Sequence, residues 1–570
     1  MYKTNYAKIL ILSFLTILLL CLSFPPSDLG YLAWIAFVPW FLLIATEEKY
    51  IYPGSLFIGV VFMLIQASWL RHVTFIAWIL LSFYCAAYFL CFTFITRCII
   101  FKLKWPLVVI APCVWVSLEF IRSFLLSGFP WFFIGHTQYR FLPIIQICDV
   151  TGVYGISFII IMVNACIADL IISRSAGCNG TVLHDSFSVP ADFFLEKDCR
   201  ARASRIKKIF LEGVAVEKYF ACLFPKKNRI FFILTRILPP VLFISILFYG
   251  FYRLKTFQPF DGPAVCLVQG NIPQDIKFES TEEDDIQILK KYTDLSMNTK
   301  GTSIDLLVWP ETMMPGLLNI DPELTGRNID RLSQQTAMQI AVNLNTHLLI
   351  GGISLILAGN EQIYFNSAYY YNNTGKLLDR YNKIHLVPFG EFTPLKKYFP
   401  FLTKLVPYEI GLTHGNKRTL FHLPYRNNKS FTFGASICYE DTVPSLIRKF
   451  RKDGVDFMLN ITNDGWFRNS AELDQHLAIM VFRAVENRMG MARAANTGIS
   501  SFVAPTGTIY DKLSDTKGNY REISGTLANH IKLINTHKPF YTILGDVFSF
   551  FCLTVSGILL FIAVFRGLST

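Results

Sequence analysis

Seven apolar runs crowd the first 252 residues and an eighth closes the chain, more greasy surface than a water-soluble core can absorb. They cover residues 9–24, 30–46, 54–70, 73–94, 105–118, 155–173, 230–252 and 543–565. A helix needs roughly 20 apolar residues to cross the hydrocarbon core of a bilayer, and several of these runs sit near the short limit. The pattern predicts about eight transmembrane helices in a seven-plus-one arrangement. The first run follows Lys3 and Lys8 and leads into Pro25-Pro26-Ser27-Asp28. That is not a small-residue cleavage site, so the run reads as a retained span rather than a signal peptide. Composition agrees: 52% of residues are hydrophobic, 16% are charged and the mean hydropathy is +0.40. The net charge of +12 accompanies no basic and aromatic nucleic-acid module, and a cationic cytoplasmic face accounts for it better.

Lysine and arginine set the orientation. They gather at the start, at Lys102 and Lys104, and across residues 174–229, which include Lys207, Lys208, Lys226 and Lys227. These three regions alternate so as to lie on one side, the cytoplasmic one, together with both termini. Residues 253–542 are then expected on the outer side. The 174–229 loop holds Cys178, His184, Cys199 and Cys222 without the paired spacing of a zinc site, and reads as a solvated insertion of no assigned function. Glu119 and Arg122, three residues apart at the end of the fifth run, are expected to pair on one helix face. Intramembrane ionisable groups are often functional, but a structural pair near the interface is the favoured reading here. The aromatic turn that follows, Gly128-Phe-Pro-Trp-Phe-Phe, suits the outer interfacial belt.

From residue 264 the grammar changes. Short β-prone runs at 264–270, 306–309, 347–352, 364–371, 431–437, 456–461 and 500–504 alternate with helical patterns, clearest at 329–345, 443–452 and 475–493. This predicts a layered α/β domain over 260–540, with helices covering the faces of its sheets. The run Phe431-Thr-Phe-Gly-Ala-Ser-Ile ends abruptly in Cys438, Tyr439, Glu440 and Asp441. Cys438 therefore stands at the carboxyl end of a strand, where a side chain can face a crevice. The run 306–309 likewise delivers Glu311, and the segment before Tyr381-Asn382-Lys383 delivers Lys383. A thiol, a carboxylate and an ammonium at one sheet edge make a nucleophile, a base and an oxyanion partner. Each signal alone is weak, because a strand-end cysteine is more often buried and inert. Cys266 reads as a small buried hydrophobe, although sequence alone leaves a Cys266–Cys438 disulfide open.

The words around these residues are more specific. Trp309-Pro-Glu-Thr, Tyr381-Asn-Lys-Ile-His-Leu-Val-Pro-Phe-Gly-Glu391 and Ile437-Cys-Tyr-Glu resemble the Glu-Lys-Cys motifs of the nitrilase (carbon–nitrogen hydrolase) superfamily. More narrowly the chain resembles the membrane-bound apolipoprotein N-acyltransferase family. Val268-Gln-Gly-Asn-Ile-Pro-Gln274, Asn460-Ile-Thr-Asn-Asp-Gly-Trp-Phe467 and Gly128-Phe-Pro-Trp131 match it as well, nearly end to end. The resemblance implies an α-β-β-α four-layer sandwich carried on a multi-pass helical domain in the bacterial inner membrane. Residues 1–252 would form the membrane part, 260–540 the periplasmic catalytic part and 543–565 the final helix. It implies Glu311 as general base, Lys383 as stabiliser of the tetrahedral intermediate and Cys438 as nucleophile. Glu391, Tyr439, Glu440 and Trp466 match supporting positions, with Tyr439 lending a backbone N–H to the oxyanion and the two acids orienting Lys383 or the amine. His385 is expected to be structural. Phe278 stands where the family commonly has tryptophan, which loses an indole N–H. The implied reaction moves the sn-1 acyl chain of a phospholipid, phosphatidylethanolamine being the expected donor, through a Cys438 thioester. The acceptor is the α-amine of the S-diacylglyceryl-cysteine that begins an apolipoprotein. No metal, cofactor or nucleic acid is expected. Residues 392–412, with Lys396, Lys397 and Lys404 among Phe, Tyr, Leu and Pro, are expected to form an interfacial arm over the pocket. The competing readings are a membrane-tethered amidase or nitrile hydrolase and a lipid-binding or transport protein with an inert domain.

Overall fold

The structure is a computed structural model that describes residues 6–46, 50–177, 233–274, 281–359, 361–388, 390–393, 398, 400, 411–426, 429–535 and 537–566. The 178–229 part of the basic loop, Phe278 and most of the expected arm at 392–412 lie outside the described residues.

Among the described residues, five helices are long and apolar enough to cross a membrane: Tyr6–Ser23, Phe75–Leu103, Tyr154–Ser173, Thr235–Thr256 and Val547–Arg566. The stretches Gly30–Ile44, Ile51–Gln66 and Leu142–Thr151 are apolar but shorter, and Leu107–Arg122 has 16 residues. The eight apolar runs are therefore not eight full-length helices. The second run breaks at Phe37, between Ala33–Ala36 and Val38–Ile44, beside Pro39. Pro39 has no N–H to continue the ladder, and buried Asn164 repairs the break by accepting from the Phe37 N–H (2.8 Å) and donating to the Ala33 carbonyl (2.9 Å). Small polar groups also join helices directly. Ser55 accepts from Trp40 Nε1 (2.9 Å) and from Thr93 Oγ1 (2.7 Å).

Glu119 and Arg122 are both buried, but they bond the following turn rather than each other. Glu119 accepts from Trp115 Nε1 and from the Ile134 N–H, each at 2.8 Å, while Arg122 donates to the Phe132 carbonyl and lies over the Phe133 ring. The Gly128–Phe133 turn is likewise buried inside the protein, not spread along a lipid interface.

Two six-stranded sheets follow, in the orders β12-β1-β2-β3-β4-β5 and β11-β10-β9-β8-β7-β6. The strands are β1 (Phe260–Gln269), β2 (Leu306–Met314), β3 (His347–Ala358), β4 (Glu361–Tyr371), β5 (Leu377–Asn382) and β6 (Phe421–Tyr425). The remainder are β7 (Lys429–Ile437), β8 (Phe457–Thr462), β9 (Gly490–Ala495), β10 (Ser501–Val503), β11 (Ile509–Lys512) and β12 (Gly525–Leu533). Each sheet has a parallel centre, β1–β2–β3 in one and β7–β8–β9 in the other, with antiparallel strands outside. Alternation sorts the side chains by face. Val265, Leu267, Leu306 and Val308 join the second sheet's Phe433, Ala435, Phe457 and Leu459 in the inner core. Cys266, Val268, Leu307 and Trp309 point the other way, onto helices Glu282–Met297 and Asn328–Leu344. Cys266 is thus a packed thiol on the outer face, and both it and Cys438 are free. Helices Pro444–Asp453 and Glu472–Asn487 cover the second sheet.

The helix expected at 475–493 ends at Asn487. Arg488 turns left-handed (φ 47°), and the buried, alanine-rich segment from Gly490 to Ala495 forms β9, paired in parallel with β8. Alanine favours helices when isolated, but here both faces of a central strand are covered and its alanines pack between neighbouring layers. The Glu472–Asn487 helix is buried on nearly every side, because the membrane helices pack against the face turned away from the sheet.

Candidate active site

The carboxyl ends of β2, β5, β7 and β8 open onto one crevice, and three of them carry the expected chemical groups. Cys438 follows β7 as the first residue of a short 3₁₀ turn, Cys438–Thr442, and holds a left-handed φ of 52°. That conformation is strained for a residue with a Cβ. It is held by Asn460 on β8, whose Nδ2 donates to the Cys438 carbonyl at 3.0 Å. Arg493 on β9 supports Asn460 through Nε (2.9 Å) and also grips Asp441.

Glu311 sits where β2 bulges away from β3, the register slipping between Trp309 and Met314. Gly351 makes room for the bulge: a Cβ there would lie 2.2 Å from the Pro310 oxygen. Glu311 Oε1 accepts from Asn366 Nδ2 (2.7 Å) and lies 3.3 Å from Lys383 Nζ, while Oε2 accepts from the Asn463 N–H (3.0 Å). Lys383 follows β5, only 1% exposed, and also pairs with Glu391 at 2.9 Å. Asn366 donates to Glu391 as well, at 3.0 Å, so one amide aligns both carboxylates around the ammonium.

Burial opposes the Lys383 charge, but Glu391 and Glu311 overcome it and hold the pKa above the usual lysine value. Burial, then Glu311, pushes the Cys438 thiol well above its ordinary pKa, and Lys383 pulls it back only in part. The resting group is therefore a thiol, and its proton needs a base. The Lys383 ammonium offsets only part of the rise caused by burial and Glu311.

Glu391 stands beside Lys383, as expected. Glu440 does not reach the ammonium. Its fully buried carboxylate accepts from Tyr381 Oη (2.7 Å), the Ile384 and His385 N–H groups (2.7 and 2.9 Å) and the Ile437 N–H (2.8 Å). It therefore fastens the chain after Lys383 to the chain before Cys438. The Tyr439 ring stacks on Trp131 (6.2 Å, 5°), and its hydroxyl donates to the Gly128 carbonyl at 3.3 Å. Trp466 is half-buried on the Asp464–Phe467 turn beyond β8. His385 stacks on Tyr439, and burial, with Lys383 and His414, holds its pKa down to about 4.

Asn366, Asn460 and Asn463 were not anticipated. Asn366 had a legible signal: it is an amide inside the β-prone run Tyr364-Phe-Asn-Ser-Ala, where a buried side chain must find partners. Among the described residues one group offers metal-type donors, Asp464, Glu472 and His476, within 4.8 Å of one another. His476 Nε2 lies 2.8 Å from Asp441, which Arg493 also holds. Burial and Arg493 work against a charged imidazole, yet Asp441 and Asp464 raise its pKa to about 10. With Asp441 and Arg493 these groups form a buried ionic network beside the Cys438–Thr442 turn.

The family described as apolipoprotein N-acyltransferase N-terminal domain matches residues 18–166, and the carbon-nitrogen hydrolase family matches residues 264–526. An apolipoprotein N-acyltransferase from Geobacter metallireducens is 29% identical over 564 residues, covering 96% of this chain and 94% of its own. Another, from Rickettsia typhi, is 31% identical over 409 residues, covering 71% of this chain and 67% of its own. Among solved structures, a mutant amidase of the nitrilase superfamily from Nesterenkonia is 15% identical, covering 51% of this chain and 96% of its own, with a TM-score of 0.35.

Proposed function

The chain belongs to the apolipoprotein N-acyltransferase family and is an N-acyltransferase of lipoprotein maturation; from that premise we propose how its own residues divide the reaction. Glu311 takes the proton of the Cys438 thiol as sulfur attacks the sn-1 ester carbonyl of a membrane phospholipid, phosphatidylethanolamine being the expected donor. The Lys383 ammonium and the Tyr439 N–H meet the oxyanion. The C–O bond breaks, Glu311 returns its proton to the departing alkoxide, and a lysophospholipid leaves an acyl thioester on Cys438. The α-amine of the diacylglyceryl-cysteine then attacks the thioester. Its surplus proton passes to Glu311, the C–S bond breaks, and the thiol is restored as the amide leaves.

The observation that carries this reading is the pairing of a half-buried thiol, its pKa pushed up by burial and by Glu311, with a carboxylate fixed by three donors beside a buried ammonium. Glu391 and Asn366 position Lys383 and Glu311, and Glu440 positions both arms of the site. Two lipid substrates using one pocket in turn is what a covalent intermediate permits. Counting the shorter apolar helices, the chain crosses the membrane about eight times. Residues 1–252 and 543–565 form the membrane part, and 260–540 the catalytic part on the outer face, with both termini cytoplasmic.

The test is mass spectrometry after incubation with phosphatidylethanolamine, beside Cys438→Ala. An acyl mass on the Cys438 peptide, labile to hydroxylamine and discharged by a diacylated lipopeptide, is expected. Free fatty acid with no adduct and no acylated peptide would instead indicate a hydrolase.

A further inference from the structure

Two arginines beside the crevice take no part in the chemistry above. Arg71 belongs to the Ser68–His72 turn after the Ile51–Gln66 helix, and Arg468 ends the Asp464–Phe467 turn beyond β8. The two turns are packed together through the Trp69 and Phe467 rings, edge to face at 4.9 Å, with Trp69 Nε1 donating to Gln475 (3.1 Å). Both arginine side chains are exposed. Burial, then the fields of Arg468 and Arg71, hold the His72 imidazole below its usual pKa, so both charges act on one spot. Neither guanidinium has a hydrogen-bond or ion-pair partner among the described residues. The nearby carboxylates are engaged elsewhere, Asp474 with Arg521 and Glu522 with Asn469. Two unpaired like charges on one patch repel. On the proposed topology this patch also lies on the outer side, where short loops avoid lysine and arginine.

We propose that Arg71 and Arg468, on the two turns packed through Trp69 and Phe467, form the seat for the phosphodiester of the acyl-donor phospholipid. The inference rests on the proposed donor and adds where that donor is held. An aromatic wall joins the patch to the nucleophile: Trp69 lies 5.3 Å from Trp131, and Trp131 stacks on Tyr439, the neighbour of Cys438. Along the other strand end, the Asn463 N–H donates to Glu311, and Arg468 stands one tight turn further on. In a glycerophospholipid the sn-1 carbonyl carbon and the phosphorus are six bonds apart, roughly 7 Å. On that reach the phosphate of a lipid whose ester meets Cys438 lies among these rings, and the seat requires the long, exposed arginine side chains to meet it there. Guanidinium is the side chain best matched to a phosphate, since its donors engage two oxygens at once.

The test uses the full-length protein and the double variant R71Q/R468Q, both positions being exposed. Acyl-Cys438 formation is followed from phosphatidylethanolamine and from a phosphate-free p-nitrophenyl ester of the same acyl chain. The seat requires KM for the phospholipid to rise about tenfold or more with kcat nearly unchanged, and kinetics on the phosphate-free ester to stay as in wild type. Millimolar glycerophosphate should compete with the phospholipid in wild type and not in the variant; if it fails to compete, the grip belongs to the bilayer surface and the seat is rejected. An unchanged KM for the phospholipid, or an equal rise for both donors, also overturns the proposal. Binding of a fluorescent phospholipid to Cys438→Ala, with and without R71Q/R468Q, reads the seat independently of the acyl-transfer chemistry. Equal affinity there rejects it even if no thioester ever forms.

Discussion

At the scale of single residues, the site sets a thiol that resists ionisation against a carboxylate that can relieve it. Burial and Glu311 both raise the Cys438 pKa, and Lys383 lowers it. Alkylation of the wild-type thiol by iodoacetamide should therefore climb only at a pH above that of an ordinary cysteine. Glu311→Gln removes the negative charge beside the sulfur, so the thiol pKa falls and alkylation at pH 8 becomes faster. The same change removes the base, and acyl transfer should drop by about 10²- to 10⁴-fold. Lys383→Met should act oppositely on the thiol and slow its alkylation. Parallel changes in alkylation and transfer in Glu311→Gln would count against the base assignment. Asn366 acts one step back, through the carboxylates it bonds. Asn366→Asp puts a third acid beside Glu311 and Glu391, and kcat should fall by about 10- to 100-fold while the protein still folds. A kcat within twofold of wild type would remove Asn366 from the site.

At the scale of elements, Glu440 is the knot between strand ends. It binds Tyr381 on β5, the two N–H groups after Lys383, and Ile437 at the end of β7. Burial raises its pKa to about 7 against those four hydrogen bonds. A glutamate in the unfolded chain ionises near 4.3, so between about 4.3 and 7 the folded protein keeps a proton that the unfolded chain has lost. Stability from this group is full below that window and declines as pH rises through it. The swing is on the order of 3 kcal/mol. Glu440→Gln cannot titrate, so melting curves at pH 5 and 7.5 should show wild type losing stability relative to the variant. Parallel melting of the two proteins would refute the shifted carboxylate. The position of Glu440 was legible as a motif match, but its partners were not, because hydrogen bonds between β5 and β7 depend on how two sheets close. The strands with clear apolar runs, such as β7 and β8, were read within a residue or two, whereas β2 was read only at its start, because Pro310 and Glu311 hide that the strand continues to Met314. β9 was not, since an alanine-rich segment carries no β signal until neighbours cover both faces. The break in the second run was hidden for the mirror reason: hydropathy sees apolar length and does not see that Phe37 and Pro39 divide it.

At the scale of the whole molecule, the helical part and the sandwich share a polar seam that neither could bury alone. Gln475 accepts from Trp69 and Trp131 (3.1 and 3.0 Å) and donates to the Pro25 carbonyl and to Gln66 (each 3.2 Å). Deeper in the seam, Arg488 leaves the Glu472–Asn487 helix in a left-handed turn and enters the membrane-helix side. Its guanidinium donates to Asp149 (3.0 and 2.8 Å), the Gln146 side chain (2.6 Å) and carbonyl (3.0 Å), and the Pro505 carbonyl (3.3 Å). Asp149 is also paired with Arg253 at 2.7 Å, just before the chain enters β1. A soluble sandwich would show this helix face to water; here it is where the catalytic layers register against the bundle. Breaking one partner of such a buried pair costs about 3–5 kcal/mol, because the remaining groups stay desolvated. Arg488→Leu should therefore lower the melting temperature of the detergent-solubilised protein by several degrees and open the 253–260 connection to trypsin. Arg488→Lys keeps the charge but not the fork that spans Asp149, Gln146 and Pro505, so it should fall between. At a temperature where the leucine variant remains folded, its acyl-Cys438 yield should stay within a few-fold of wild type, because no group of the crevice is touched. A wild-type melting temperature in Arg488→Leu would mean that the two parts are held together elsewhere.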